Sequence, residues 1–176
     1  MSDPTFTLDQ LYAAIEQHIR TALPNAELVA TCPEITNSIA LPAVLLEPAE
    51  FEPGEDAGTG ETVLVLRFEA RIIVEPERAQ HQLKAAQMAA QLAVLLRAQA
   101  WGQPVEFAQF VQARQDFTKP ELDGYTVWLV EWTQTIYLGE VEWPWPVEPP
   151  GTLYLNIDGE TGTGNEQHYF QPEDLE

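Results

Sequence analysis

Thiol chemistry would need Cys32, the one cysteine of the chain. It stands beside Pro33, with neither a caspase-like nor a papain-like context and no pattern tying it to His18, His81 or His168. It reads as a buried or incidental side chain, and one cysteine permits no intramolecular disulfide and no thiolate metal cluster. The three histidines are widely separated, show no HExxH or comparable ligand spacing, and read as surface residues, two of them on helices. No GxSxG elbow presents a serine nucleophile. Asp158, Glu160 and Asn165 surround glycines as in a calcium loop, but the alternating acidic register and the distant bidentate Glu are missing. Gly58-Thr59-Gly60 lacks the Lys-Ser/Thr of a phosphate loop and has acidic neighbours. A carboxylate pair could hide among 28 acids, yet that abundance makes any chosen pair uninformative. Trp128 and Trp132 could line a ligand groove, although two tryptophans on one strand face are more often core. The expectation is no catalytic residue, no metal ligand and no cofactor.

The charge is the strongest compositional signal. Twenty-eight Asp and Glu against eight Lys and Arg give -20, and a surface so negative repels phosphate backbones. Direct, sequence-specific nucleic-acid binding is therefore not expected. All eight bases precede Pro120, while twelve acids follow it, a polarity that keeps an extended tail solvated or steers a basic partner. The N-terminus has no basic-then-apolar leader pattern, and no apolar run approaches the roughly 18 residues of a membrane span. The chain reads as cytoplasmic, with no membrane partner.

These residues must be held by a framework whose elements announce themselves by periodicity. Thr7 and Gln10 have capping-box spacing, and Leu8, Leu11, Tyr12, Ile15 and Ile19 recur at helical intervals, predicting a helix over 7–22. Short apolar runs at Glu27 to Thr31 and Ala43 to Leu46, bounded by prolines, read as strands. EPGEDAGTGE, Glu52 to Glu61, has the Gly, Pro and acid content of an exposed hairpin tip. From Thr62 to Val74 the chain alternates, with Leu64, Leu66, Phe68, Ala70, Ile72 and Val74 on one face and Arg67, Glu69 and Arg71 on the other. Thirteen residues at about 3.3 Å each reach about 43 Å, long enough for part of the hairpin to project beyond the core. Residues 78–100 predict a helix with a stripe of Ala85, Met88, Ala89, Leu92, Leu95 and Leu96. A weaker strand follows over Val105 to Ala113. Asp123-Gly124 turns the chain into a strand from Tyr125 to Leu138, with Trp128, Val130, Trp132, Ile136 and Leu138 on one face.

Beyond Glu140 the character changes to Trp143-Pro144-Trp145-Pro146, Pro149-Pro150 and an acidic end without a base. Such a segment cannot build a core of its own, yet Trp143, Trp145, Leu153, Tyr154, Leu155, Tyr169 and Phe170 are apolar anchors that a free linker does not need. The reading is a single α+β domain over 1–139, followed by an extended acidic Pro/Trp-rich tail over 140–176 that lies along a surface.

This order of elements, with LLEPAEFEPGEDAGTGE, LRFEARIIVE and ELDGYTVWLVEWTQTIYLGE, resembles the tail terminator, or tail-completion, proteins of Mu-like phages, prophages and related contractile particles. The most specific part is DGYxVWxVEWxQxIxLG, here Asp123 to Gly139, preceded by PGEDxGTG at Pro53 to Gly60. The likeness covers roughly residues 5 to 142. It implies a mainly antiparallel sheet flanked by two helices and assembly as a homo-oligomeric ring, usually a hexamer, on the head-proximal end of the tail tube. It also implies no enzymatic activity, tube protein and sheath or neck proteins as partners, and a life in the bacterial host cytoplasm before the particle is complete. The alternative is another tail or baseplate accessory of a contractile particle. On this reading the candidate subunit or tube interface comprises Glu52, Glu55, Asp56 and Glu61 of the hairpin tip, Arg67 and Arg71, and the tail residues Trp143, Trp145, Tyr154, Tyr169 and Phe170. Arg67 and Arg71 are candidates to pair with the tip acids of a neighbour, although a solvated face is the commoner role for such residues.

Overall fold

The computed structural model describes residues 6–32 and 39–142, with Leu155 and Tyr169 beyond them. The chain divides into two units, Met1–Trp143 and Pro144–Glu176, and every element described here belongs to the first. Apart from Leu155 and Tyr169, the expected course of the tail beyond residue 142 lies outside the described residues.

The fold is α+β. Helix α1, Leu8–Ala22, starts from the predicted capping box: Thr7 Oγ1 accepts from the Gln10 N–H, and Gln10 Oε1 accepts from the Thr7 N–H at 3.0 Å. Strands β1 (Leu28–Thr31), β2 (Ala43–Pro53) and β3 (Thr62–Val74) follow, then helix α2 (His81–Leu95), strand β4 (Gln109–Gln115), a 3-10 turn at Pro120–Leu122 and strand β5 (Thr126–Leu138). They form one five-stranded sheet in the order β1-β2-β3-β5-β4. Only β1 and β2 are parallel; the other neighbours run antiparallel.

Burial sorts the sheet into two faces. Leu11, Ile15 and Ile19 of α1 and Ala85, Met88, Ala89 and Leu92 of α2 close on Val44, Leu46, Leu66, Phe68, Ala70, Ile72, Val130, Trp132 and Ile136. Phe68 stacks on Trp132 at 5.2 Å between ring centroids, and Tyr12 meets Phe68 edge-on at 5.9 Å. Such aromatic contacts add about 0.5–1.5 kcal/mol each beyond the area they bury. Trp132 is therefore core, as its strand position implied, while Trp128 is half-buried against the same cluster. The opposite face has a smaller apolar patch of Ala43, Leu45, Ile73, Leu122 and Val127.

Three boundaries differ from the periodic reading. Strand β2 runs on from Leu46 to Pro53, past Pro48, because β1 reaches only to Leu46 and the rest of β2 is an edge where a missing N–H costs nothing. Helix α2 is shorter than 78–100. Gln80 at φ 59° precedes it, and after Leu96 the chain turns through Ala98 at φ 52° and Trp101 at φ 60°. Strand β4 begins at Gln109 instead of Val105, since the preceding residues are held as a turn: the Gln134 amide donates to the Gln99 and Glu106 carbonyls at 3.3 and 2.7 Å. Gln134 in turn accepts from the Trp101 indole at 2.7 Å, which fixes this loop against the core.

The long strand β3 does not project as a two-stranded ribbon. It pairs with β5 along its entire length, from Thr62 opposite Leu138 to Val74 opposite Thr126. What lacks an outer strand neighbour is β2 beyond Leu46, where the pairing with β1 ends.

Candidate assembly interface

The hairpin tip is built by close packing as well as by turn residues. The Gly54 N–H donates to the Val63 carbonyl at 2.8 Å, and a Cβ on Gly54 would lie 2.5 Å from the Val63 side chain, so glycine is required there. Asp56 Oδ1 accepts the Gly58 N–H at 2.8 Å, and the Thr59 hydroxyl donates to Glu61 at 2.9 Å. The Glu142 N–H donates to the Thr59 carbonyl at 2.9 Å, and Gly60, at φ 91°, leaves room for the Glu142 side chain. The tip is thereby tied to the residues that follow β5. Glu52, Glu55 and Asp56 are exposed and Glu61 is half-buried. Phe51, at 47% exposure, stands among these acids.

Arg67 and Arg71 share one face of β3 but not one environment. Arg67 approaches Glu50 of β2 at 3.4 Å near the surface. The Arg71 side chain is only 5% exposed, and it is used up within the chain: Nε donates to Asp116 at 2.8 Å, Nη1 to Glu47 at 2.7 Å and Nη2 to Glu69 at 2.6 Å. Lys119 adds a second cation on Glu47 at 3.0 Å. Burial opposes the charge on Arg71, but its bonds to Glu69 and Asp116 outweigh that and raise its pKa above the ordinary value. Burial likewise disfavours the Asp116 carboxylate, yet the Thr118 hydroxyl and N–H, with Arg71, hold its pKa below the usual carboxylate range. This cluster ties β2, β3 and the chain after β4 together. In this chain Arg71 is a structural ion-pair partner, and it meets no acid of the Glu52 to Glu61 tip.

Sequence reading missed Glu47, Glu69, Asp116 and Lys119 as a group, because they come from separate segments. Only the Asp116-x-Thr118 spacing, typical of a side chain capping its own turn, was a local signal. It also missed a region around β4, where Phe107, Phe110, Val111 and Phe117 are 55%, 49%, 44% and 86% exposed. Next to it lies an open hollow of about 420 Å³ lined by Leu96, Arg97, Ala98, Phe107, Ala108 and Phe110, among others. Trp143, Trp145, Tyr154 and Phe170 lie outside the described residues, and Tyr169 is half-buried.

Among the described residues, no group of three or more His, Cys, Asp and Glu side chains is placed to hold a metal ion, and His168 lies outside them. Cys32 is exposed, not buried; partial burial and Glu47 raise its pKa, which Lys119 offsets in part. His18 packs edge-on against Trp101 at 5.7 Å with Nδ1 2.8 Å from the Ala14 carbonyl, and His81 contacts the Thr126 hydroxyl, so both are anchored more firmly than free surface histidines. No helix among the described residues is long and apolar enough to cross a membrane.

No protein-family model matches the chain, and no curated protein matches it. Among solved structures, it is similar to the sheath/tube terminator of an extracellular contractile injection system, PVC, determined by cryo-EM in the extended state. The sequence identity is 15% and the TM-score 0.42, over 92% of this chain and 66% of that one. The match thus spans a little under two thirds of that protein's length.

Proposed function

We propose that this chain is a structural subunit of a contractile tail particle, one that caps the tail tube as a homo-oligomeric ring and joins the tube to its next component. The observation that carries this reading is the outer part of the β2-β3 hairpin. There Phe51 is exposed on the paired strand β2 with Glu52 next to it, and Glu55 and Asp56 are exposed in the loop that follows. Exposed aromatics set among charges on a rigid scaffold suit recognition of a protein surface. The resemblance of Asp123 to Gly139 and Pro53 to Gly60 to tail terminators supports the same reading, and the Asp123 to Gly139 pattern forms a central strand of the sheet.

On this proposal the partners are further copies of the chain, six to a ring, together with the tube protein and sheath or neck proteins. Assembly takes place in the host cytoplasm and involves no cofactor and no catalysis. A charge of -20 suits a ring around a DNA conduit, because it does not hold phosphates as they pass. Deletion of the gene is expected to give tubes of irregular length, or tails that fail to join their next component, by electron microscopy of particles. Tails of normal, uniform length that still join their partners would sink the terminator reading in favour of a tail or baseplate accessory.

A further inference from the structure

The sheet has edges that differ in how they are treated. At β1, the outward Thr31 N–H donates to Glu16 Oε1 at 2.7 Å, and the outward Val29 carbonyl accepts from Arg20 at 2.9 Å, so side chains of α1 occupy that edge. Two stretches have no such cover from another element among the described residues, although Arg114 itself donates to the Gln115 carbonyl at 3.5 Å. One is the outer edge of β2 from Glu47 to Pro53, beyond the reach of β1. The other is the outer edge of β4, Gln109–Gln115, which ends the sheet. Unpaired edges on a soluble domain are normally blocked, because they template pairing with another chain.

Their chemistry is opposite. The β2 edge carries Glu47, Glu50 and Glu52 with Pro48 and Pro53, a composition that repels a second β2 edge. Strand β4 contains no acid and carries Arg114, and Arg97 lines the hollow beside it. Among the described residues neither arginine has an ion-pair partner, whereas Arg20, Arg67, Arg71, Arg78 and Lys119 do. In a chain of net charge -20, the β4 edge is the strand edge suited to an acidic one.

Direction and parity agree as well. β2 runs parallel to β5 and so antiparallel to β4, which means that a second copy in the same orientation brings its β2 edge to β4 as an antiparallel pair. Phe51 pairs with Leu66 and Phe110 with Trp132, so both aromatics lie on the helix-covered face, where the hollow is. Glu50 and Glu52 project from the other face, as Arg114 does opposite Leu129. With Glu50 set opposite Arg114, Phe51 falls opposite Ala113, and Glu52 and Phe110 each lie one cross-strand diagonal away, Glu52 from Arg114 and Phe110 from Phe51.

We infer that the Glu47–Pro53 edge of one copy pairs antiparallel with the β4 edge of the next, extending the sheet from subunit to subunit. The contact is head-to-tail, the kind that closes into a ring when its rotation permits, and it rests on the reading of this chain as a ring subunit.

The test is sedimentation velocity of the full-length chain over a concentration series. The wild type is expected to self-associate, and Glu52→Arg and Arg114→Glu alone are each expected to weaken association by roughly tenfold or more, the scale of a lost interfacial charge pair. Both residues are exposed, so the folded fraction by circular dichroism should not change. The double variant, with both charges exchanged, should recover association. In a Cys32→Ser background, a 1:1 mixture of Phe51→Cys and Ala113→Cys chains should cross-link as a mixed dimer on oxidation. A wild type that stays monomeric, reversals that leave association unchanged, or a double variant no better than the singles would each overturn this interface. The ring reading is decided separately by tube length in the deletion strain, so oligomers indifferent to both reversals would leave it standing.

Discussion

Strand β3 has a closed end and an open end, and the two arginines on its polar face mark them. Around Arg71 the cross-strand neighbours are Leu45 and Leu129, and Glu47, Glu69 and Asp116 converge on the guanidinium. Around Arg67 the neighbours are Glu50 and Thr133, and the contact with Glu50 is at the surface. The same residue type, on the same face of the same strand, is thus a buried tie at one end and a surface group at the other. A strand's pattern of side chains tells which face each one takes; the length of its neighbours tells whether that face is covered. Here β1 stops at Leu46, and beyond that level β2 is left exposed. The closed end is scaffold, and at the open end the outer edge of β2 has no strand neighbour among the described residues.

If this division is right, the largest loss of stability comes from the covered stretch. Phe68 is fully buried, stacked on Trp132 and touched edge-on by Tyr12. Phe68→Ala should cost about 3–5 kcal/mol, measured by urea unfolding, because it removes both the buried area and its partners' contacts. Phe51→Ala, in the exposed stretch of the same hairpin, should change stability by less than about 0.5 kcal/mol. Equal losses at the two positions would erase the distinction between the ends.

The Arg71 cluster should show a smaller loss with a pH signature. Asp116→Ala leaves the guanidinium on Glu47 and Glu69 but deprives it of its most buried partner, which should cost about 2–4 kcal/mol at neutral pH. Because the folded chain holds the Asp116 carboxyl below its ordinary pKa, the folded state binds fewer protons there than the unfolded state. Its contribution is present above the unfolded carboxylate range and is lost as pH falls through the lowered folded value. Thermal melts of Asp116→Ala should therefore converge on the wild type in acid. A constant gap between the two curves would mean that the loss comes from packing and not from the charge.

The helix-covered face was legible in the sequence because its signal is apolar periodicity. The Thr7 capping box, the Leu11, Ile15 and Ile19 stripe, and β3 with its bounds at Thr62 and Val74 are visible in residue order alone. Strand β5 is nearly so, starting at Thr126. The opposite face was less legible, since charged residues alternating with apolar ones look solvated whether or not a partner covers them. Nothing local separates Arg71 from Arg67; the difference is made by Glu47 and Asp116, distant in sequence. Strand β4 was misplaced for a related reason. It is exposed on both faces and carries an irregularity between Phe110 and Gln112, so no alternation marks its start. The proposed assembly surface was half readable: the acids of the tip announce an exposed loop, but the basic edge at Arg114 appears only when the strands are ordered.

The smallest effect, and the sharpest check on the comparison, is expected at Arg67. Its Nε lies 3.4 Å from a Glu50 oxygen, within ion-pair distance, yet it has no hydrogen-bond partner among the described residues. The charges are close while the bonding geometry is missing. The Arg67 side chain is 36% exposed and the Glu50 side chain 52%, so water screens the attraction, although the Nε atom itself is buried. Exposed pairs of this kind contribute about 0–1 kcal/mol, and the fixing of two long side chains offsets part of that. Arg67→Met keeps the apolar stem against the sheet and removes only the charge, so its stability should stay within about 0.5 kcal/mol of the wild type. Arg71→Met should cost several times more, because it leaves Glu47, Glu69 and Asp116 crowded together without their shared cation. Urea unfolding of the two variants side by side makes the measurement. If Arg67→Met proved as damaging as Arg71→Met, the outer stretch of β3 would be as firmly held as the inner one, and the hairpin would have no open end to offer a neighbour.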